Sequence, residues 1–446
     1  MSVKRSYISC LVLLACLLSG CTPEWKEELA PVETESGQEA AQGRDNNTDT
    51  RKVLLLYSAG YNSLTNYLRT DIEELSNGWL PKQRRADDVL LVYSHLALTR
   101  GDYTTPTEPV LFRIYRKTDD TIVRDTLVVY DRNTISSTPG QLNNVLSYIK
   151  EEFPAKSYGM VVSSHATGYL PSGFYSAPDH YEFQQPQKSY GRDIRSLKPV
   201  PVPYVEPEHD PGLPEVKSIC QDVHSGMSYE TDLKEFAEAI PMKMEYILFD
   251  ACLMGGVEVA YELAEKCDRI GFSLTEVLAD GFNYSTLAYN LLGNRQTSDT
   301  EAVCRDYFEQ YEIQTGVNQS ATISLVDCRE IQTLADVCSD LFAKYRDEIA
   351  SVSHIDVQRY YRSSHHWFYD LRSILRNAGV SAADLERLDA ALEECIIYNR
   401  YTPSFMGAFD ITECCGLSMY LPSYGHDELS KYYRTLSWNK ATGLVK

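Results

Sequence analysis

Tyr246-Ile247-Leu248-Phe249-Asp250-Ala251-Cys252 is a run of large apolar residues that ends in an acid, a small residue and a thiol. A continuous apolar run of this length suits a strand buried on both faces of a parallel sheet. The chain continues as Leu253-Met254-Gly255-Gly256-Val257-Glu258-Val259-Ala260-Tyr261-Glu262-Leu263. Met254, Val257, Tyr261 and Ala264 recur at helical spacing, so the pattern predicts a helix whose start lies close to Cys252. Helix amides and the helix dipole would then favour the thiolate, the reactive form of cysteine. The same idea occurs upstream. Tyr158-Gly159-Met160-Val161-Val162-Ser163-Ser164-His165 is an apolar strand that turns polar and ends in a histidine, before the turn Ala166-Thr167-Gly168.

Outward from these two strands the alternation repeats. Val53 to Tyr57 and Val89 to Tyr93 read as buried strands, with Leu64, Leu68, Ile72 and Leu75 at helical spacing between them. Val110 to Tyr115 and Thr121 to Tyr130 predict a hairpin across Asp119-Asp120, and Gln141 to Phe153 an amphipathic helix. Arg269 to Leu274 and Ala321 to Val326 are further strands; residues 330–400 are mostly helical; Gly416 to Leu421 is a late strand stopped by Pro422. Strands alternating with helices predict an α/β fold with a mainly parallel central sheet and helices on both faces. Sites in such sheets lie beyond the carboxyl ends of the strands, where His165 and Cys252 both fall. Between them runs a proline-rich excursion, about 171–225, with Pro199, Pro201, Pro203, Pro207, Pro211 and Pro214. It can be neither helix nor central strand and reads as an exposed loop carrying Arg192, Arg195, Lys198 and Lys217, a place for proteolytic cutting.

The N-terminus indicates export. Lys4 and Arg5 precede an apolar stretch, Ile8 to Leu18, too short for a transmembrane helix, which needs ~20 residues. Leu18-Ser19-Gly20-Cys21 resembles a bacterial lipobox, which implies that residues 1–20 are a signal peptide and that Cys21 is lipidated. Residues 22–50 carry eight acids against Lys26 and Arg44, and with Cys21 read as a disordered tether (21–50) to the domain at 51–446. The 446-residue chain has a net charge of −21, two units more negative without Lys4 and Arg5. That excludes a strong general attraction to nucleic acid or anionic lipid, so membrane contact is expected through the N-terminal lipid only. Of twelve cysteines, nine remain after Cys10, Cys16 and Cys21, an odd number that leaves one thiol free if all pairing is intramolecular.

On position alone, Cys252 is either a nucleophile or a small buried residue, and His165 either an acid–base group or a hydrogen-bonded structural histidine. His365-His366 are adjacent and do not share a helix face, which argues for packing. There is no C-x-x-C, H-E-x-x-H, G-x-S-x-G or phosphate-loop motif, and no metal site is expected.

Taken together, Ser164-His165-Ala166-Thr167-Gly168-Tyr169, Phe249-Asp250-Ala251-Cys252-Leu253-Met254, Ala279-Asp280-Gly281-Phe282 and Cys415-Gly416-Leu417-Ser418-Met419-Tyr420-Leu421-Pro422 resemble the clostripain family of cysteine peptidases. The resemblance implies a caspase-like αβα sandwich with a helical C-terminal region, about 330–446. It also implies a Cys252–His165 dyad, with the oxyanion held by the amides of Ala166 and Cys252. The expected substrates are proteins or peptides cut after Arg, with Lys weaker, and Asp250 and Asp280 line the pocket for the basic side chain. The chemistry needs no cofactor, although calcium is possible by the same resemblance. Ala166 and Tyr169 stand where the family usually has Gly and Trp; alanine still offers an N–H provided its φ is not positive. The expected protein is a lipid-anchored peptidase of the bacterial envelope, at the outer membrane or cell surface. The alternative is a catalytically inactive lipoprotein using the same scaffold to bind proteins or peptides.

Overall fold

In the computed structural model, the described residues are 50–82, 88–99, 105–184, 193–194, 201–203, 212–217, 222–224, 226–293, 296–362 and 366–446. The signal segment 1–20, lipidation at Cys21, nearly all of the tether 21–50, Arg192, Arg195, Lys198, Cys220 and His365 lie outside them.

The first strand, β1 (Thr50–Gly60), carries Val53 to Leu56, each at most 2% exposed, as the doubly covered position of an apolar run requires. Parallel pairing joins β1 to β2 (Val89–Leu96) on one side and β5 (Ala155–Ser163) on the other. Beyond β5 come β9 (Met244–Asp250) and β10 (Cys267–Phe272), also parallel. Antiparallel strands finish both edges: the hairpin of β3 (Val110–Arg116) and β4 (Ile122–Val129) beside β2, and β11 (Thr322–Asp327) with β13 (Ile396–Tyr401) beside β10. The result is a nine-stranded sheet, ordered β13-β11-β10-β9-β5-β1-β2-β3-β4.

Strand order reverses at the β1/β5 boundary: from β1 the chain moves one way to β2, and from β5 the other way to β9 and β10. Right-handed crossovers in opposite directions put helices on opposite faces. Accordingly α1 (Thr65–Asn77) packs with α5 (Tyr284–Leu292), and α5 in turn with α6 (Thr300–Glu312). A second group comprises α2 (Pro139–Glu152), α3 (Leu233–Ala239), α4 (Val257–Leu263) and α7 (Ile331–Lys344). The reversal opens a crevice at the carboxyl ends of β1, β5 and β9.

Two expectations change. Cys252 does not start a helix. The strand ends in a tight turn with Leu253 at φ +60°, and α4 begins only at Val257. Leu253 and Gly255 instead donate their amides to Thr275 O and Ser273 O, so this stretch is hydrogen-bonded to the exit of β10. The proline-rich excursion is not simply an exposed loop. Val202–Pro203 (β6), Asp222–His224 (β7) and Met227–Tyr229 (β8) form a small antiparallel sheet, while Lys217 and Asp222 are fully buried. Each has a partner inside: Asp222 accepts the amides of Ser136 and Ser137 and lies against His95, and Lys217 is held by carboxylates described below. Among the described residues no helix is long and apolar enough to cross a membrane.

Candidate active site

Register fixes the central geometry. Ser163 on β5 pairs with Asp250 on β9, so His165 and Cys252 both lie two residues beyond the same rung. Neighbouring strands are ~4.8 Å apart, which brings the segments that carry the imidazole and the thiol out at adjacent strand ends. Gly168, at φ +61°, lets the loop after His165 close onto the Leu253 turn, since a Cβ there would overlap the carbonyl of Leu253. Ala166 is not among the positive-φ residues, so alanine meets the conformational demand of its position. Tyr169 is fully buried, and its hydroxyl donates to the carbonyl of Trp367 (2.6 Å), tying the loop to the C-terminal half.

His165 Nε2 lies 3.2 Å from Ser63 Oγ, which enters from beyond β1. Its Nδ1 is buried without a hydrogen-bond partner among the described residues. Burial drives the imidazole down from 6.5 to about 3, with the nearby Lys217 backbone partly offsetting it. The thiol of Cys252 is fully buried and accepts the amide of Val277 at 3.1 Å. Burial, then the Glu276 carboxylate, push the thiol well above 9.0, against the Val277 hydrogen bond. Glu276 is itself engaged by Arg362 Nε at 2.9 Å. Burial thus favours the neutral form of both the thiol and the imidazole.

The closing element is Glu215–Lys217. The Lys217 amide donates to Val277 O (2.8 Å), the Ala279 amide donates to Glu215 O (2.9 Å), and Val216 pairs antiparallel with Leu278. The Glu215–Lys217 segment therefore lies along the segment whose Val277 amide also binds the thiol. The Lys217 ammonium, fully buried, donates to Asp250 Oδ2, to Ser163 Oγ (3.2 Å) and to Asp71 Oδ2 (3.3 Å). Tyr284 OH supports Asp250 Oδ2 at 2.6 Å. Burial opposes the charge on Lys217, but the two carboxylates outweigh it and the ammonium is held above its ordinary value. Asp71 is raised well above its own, by burial first.

Of the residues singled out from sequence, His165, Ala166, Cys252 and Asp250 meet at this crevice. Asp280 is exposed, next to Gly281, whose lack of a side chain leaves room for Asp250 and Lys217. The second carboxylate on the ammonium is Asp71. Its signal was present: an acid three residues after Leu68 and four before Leu75, on the apolar stripe of α1. Ser63, Val277 and Glu276 had no such signal, because their roles arise from chain crossings alone. His366 is bound at Nε2 by Arg359 Nη1 (2.6 Å), consistent with packing. Among the described residues no group of three or more His, Cys, Asp or Glu is placed to hold a metal ion.

An αβα sandwich with thiol and imidazole at adjacent strand ends defines the class: a cysteine peptidase with the caspase-like fold. The chain belongs to the clostripain family, Peptidase C11, whose model matches residues 56–177 and 206–443 and skips part of the proline-rich excursion. Its fold is similar to an inactive zymogen C11 protease from Parabacteroides distasonis: TM-score 0.67, 24% identity, 89% of this chain and 98% of that one. It is also similar to a secreted C11 cysteine protease from Bacteroides thetaiotaomicron called iotapain (TM-score 0.66, 21% identity, 88% and 99% covered). A secreted C11 cysteine protease from Bacteroides thetaiotaomicron in complex with an irreversible peptide inhibitor matches with TM-score 0.67 at 21% identity, over 88% of this chain and 98% of that one. Among curated protein sequences none matches this chain.

Proposed function

We propose that this protein is a cysteine endopeptidase specific for basic residues, described here in a latent form that holds its own Lys217 in the substrate pocket. The observation that carries this reading is the extended segment Glu215–Lys217, paired with residues 277–279 and with its ammonium between Asp250 and Asp71. A substrate bound in the same way would present the bond after its basic residue to Cys252. Cys252 passes its thiol proton to His165 and attacks that carbonyl, forming the thioester and breaking the peptide bond; His165 delivers that proton to the leaving amine and then takes one from water, which releases the acid and returns the thiol. The amides of Ala166 and Cys252 are the proposed donors to the oxyanion, commonly the largest single contribution to such catalysis. The family resemblance implies Arg with Lys weaker at the cleaved position.

Latency follows from burial. With Lys217 seated, the thiol stays protonated and the imidazole neutral, and a second peptide has no edge to pair with. Cleavage after Lys217 would free that edge and admit water. Incubation of the purified protein should yield a new N-terminus at Ser218, read by N-terminal sequencing, while Cys252→Ala remains one intact chain. Persistence of intact wild type, together with failure of a basic peptide electrophile to label Cys252, would favour the inactive binding scaffold instead.

We further propose that the peptidase is exported and anchored through Cys21 in the bacterial envelope, supported by Leu18-Ser19-Gly20-Cys21. Labelled palmitate should be incorporated by the wild type and not by Cys21→Ala.

A further inference from the structure

The thiol of Cys252 rests on the backbone of one residue. Its Sγ accepts the Val277 amide at 3.1 Å and lies 3.8 Å from the Val277 carbonyl oxygen. The residue before Val277 is Glu276, whose side chain is 2% exposed. A carboxylate buried there without a partner would be costly, and its charge would oppose the thiolate that attack requires. Arg362 meets both demands. Its Nε donates to Glu276 Oε2 at 2.9 Å, and its own side chain is 24% exposed. The wall at 275–277 is fixed from the sheet: Thr275 Oγ1 donates to the Glu276 carbonyl (3.0 Å) and the Thr275 amide to Thr322 Oγ1 (3.0 Å). Arg362 arrives from the C-terminal half on a segment that is fixed in its turn. The Tyr360 amide donates to Phe368 O (2.9 Å), the Tyr360 hydroxyl donates to Asp370 Oδ2 (2.8 Å), and the Tyr361 and Tyr175 hydroxyls are hydrogen-bonded to each other. The guanidinium is thus delivered to Glu276 by a built segment, not by a free surface chain.

We infer that Arg362 is a positioning residue for the reaction: by holding the Glu276 carboxylate it eases ionisation of Cys252, and the pair sets the pH range in which the enzyme works. The inference rests on the reading of Cys252 as the nucleophile and is independent of which residue is cleaved. The two charges act on the thiol with opposite signs, Glu276 raising it and Arg362 lowering it, beside the larger effect of burial. The neighbouring phenols carry no charge that would compete. Burial pushes Tyr175, in the loop after β5, up to about 12, and pushes Tyr307 on α6 and Tyr361 well above their ordinary range. Lys217, with its partner Asp250, lowers the thiol, and His165 emerges at the adjacent strand end. These groups are the same whether or not Glu276 or Arg362 is altered, so they drop out of a comparison between variants.

The test is the pH dependence of Cys252 alkylation by iodoacetamide, read at that residue by mass spectrometry on the self-processed enzyme. A variant that does not cut itself is processed by tagged wild type, which is then removed. The thiolate is the reacting form, so the midpoint of rate against pH follows the thiol. Arg362→Ala should raise that midpoint by roughly one pH unit, and Glu276→Gln should lower it by a similar amount. The double variant should return close to the wild-type midpoint, and Arg362→Lys, which keeps the charge, should stay within about half a unit of it. On a basic peptide amide the acid limb of kcat/KM should move with the same sign in each variant. Glu276→Gln is nearly isosteric and covers the case in which Arg362→Ala does not fold. Midpoints that move in one direction in both single variants, or that stay at the wild-type value, would overturn the inference and leave the pair a structural role only. Wild-type hydrolysis that survives complete alkylation of Cys252 would instead overturn the nucleophile reading on which the inference stands.

Discussion

Cys252 and His165 occupy matching positions beyond one rung of the sheet, so each should be indispensable while neither holds the fold together. Cys252→Ala and His165→Ala are expected to lose roughly 10³-fold or more in turnover, with circular dichroism unchanged. Near-normal activity in either folded variant would remove the dyad. Asp250 differs, because it is a buried carboxylate against a buried ammonium. Truncating one partner of such a pair typically costs about 2–5 kcal/mol. Asp250→Ala should therefore reduce kcat/KM on basic substrates by roughly 30-fold or more and also loosen Lys217 in the uncleaved chain. Limited proteolysis of the Cys252→Ala background, with and without Asp250→Ala, would register that loosening. Asp280 is exposed, and Asp280→Ala should move kcat/KM less than Asp250→Ala does; an equal or greater loss would return it to the pocket.

At the level of elements, the turn after β9 is positioned by several crossings. Residues 253–256 run beside the exit of β10, and Gly256 and Ser418 are bridged in parallel. Glu258, in the first turn of α4, ties this turn to the C-terminal region: its Oε1 accepts the Tyr420 amide (2.9 Å) and the Tyr433 hydroxyl (2.7 Å). Burial raises the Glu258 carboxyl from 4.5 to about 7, against those hydrogen bonds. The folded state therefore keeps the proton more tightly than the unfolded chain does. The stabilisation is complete below about pH 4.5 and is lost as pH rises through about 7. Glu258→Gln, which is neutral at every pH, should gain on the wild type across that window, by on the order of 3 kcal/mol at most, and not below it. Melting temperatures of the two proteins from pH 4 to 8 measure the difference; parallel curves would show that Glu258 is ionised when buried. Comparing variant with wild type matters because Glu230, also raised to about 7 by burial, titrates in the same window.

For the molecule as a whole, the position of the proposed cut has a consequence. Lys217 lies between β5 and β9, which are adjacent, hydrogen-bonded strands at the centre of the sheet. Cleavage after Lys217 divides the chain without separating the core, since Val161, Val162, Leu248 and Phe249 remain buried across the join. The two fragments should appear on a denaturing gel yet elute together under native conditions, as one particle with cooperative unfolding. Release of separate fragments on a sizing column would show that the intact connection is needed to hold β5 against β9.

Local pattern was enough for the central strands and the broad class. The apolar runs at 53–57, 89–93, 158–162 and 246–249 could be buried only in a doubly covered sheet, and the hairpin at 110–130 followed from alternation around Asp119-Asp120. The chemistry at strand ends was visible for the same reason: a polar residue that ends an apolar strand has to lie at the edge of the core. The sequence did not determine which segment would close the site. Lys217 read as one of several exposed basic residues in a proline-rich stretch, because nothing nearby in sequence neutralises it. Its partners come from residue 71 on a helix, residue 163 on one strand and residue 250 on the next. Convergence of groups so distant along the chain depends on strand order and register, and a buried charge is stable only once all of them are assembled. The turn at Leu253 and the distance of Cys252 from α4 were likewise decided by pairing with the exit of β10, a contact that local periodicity does not encode.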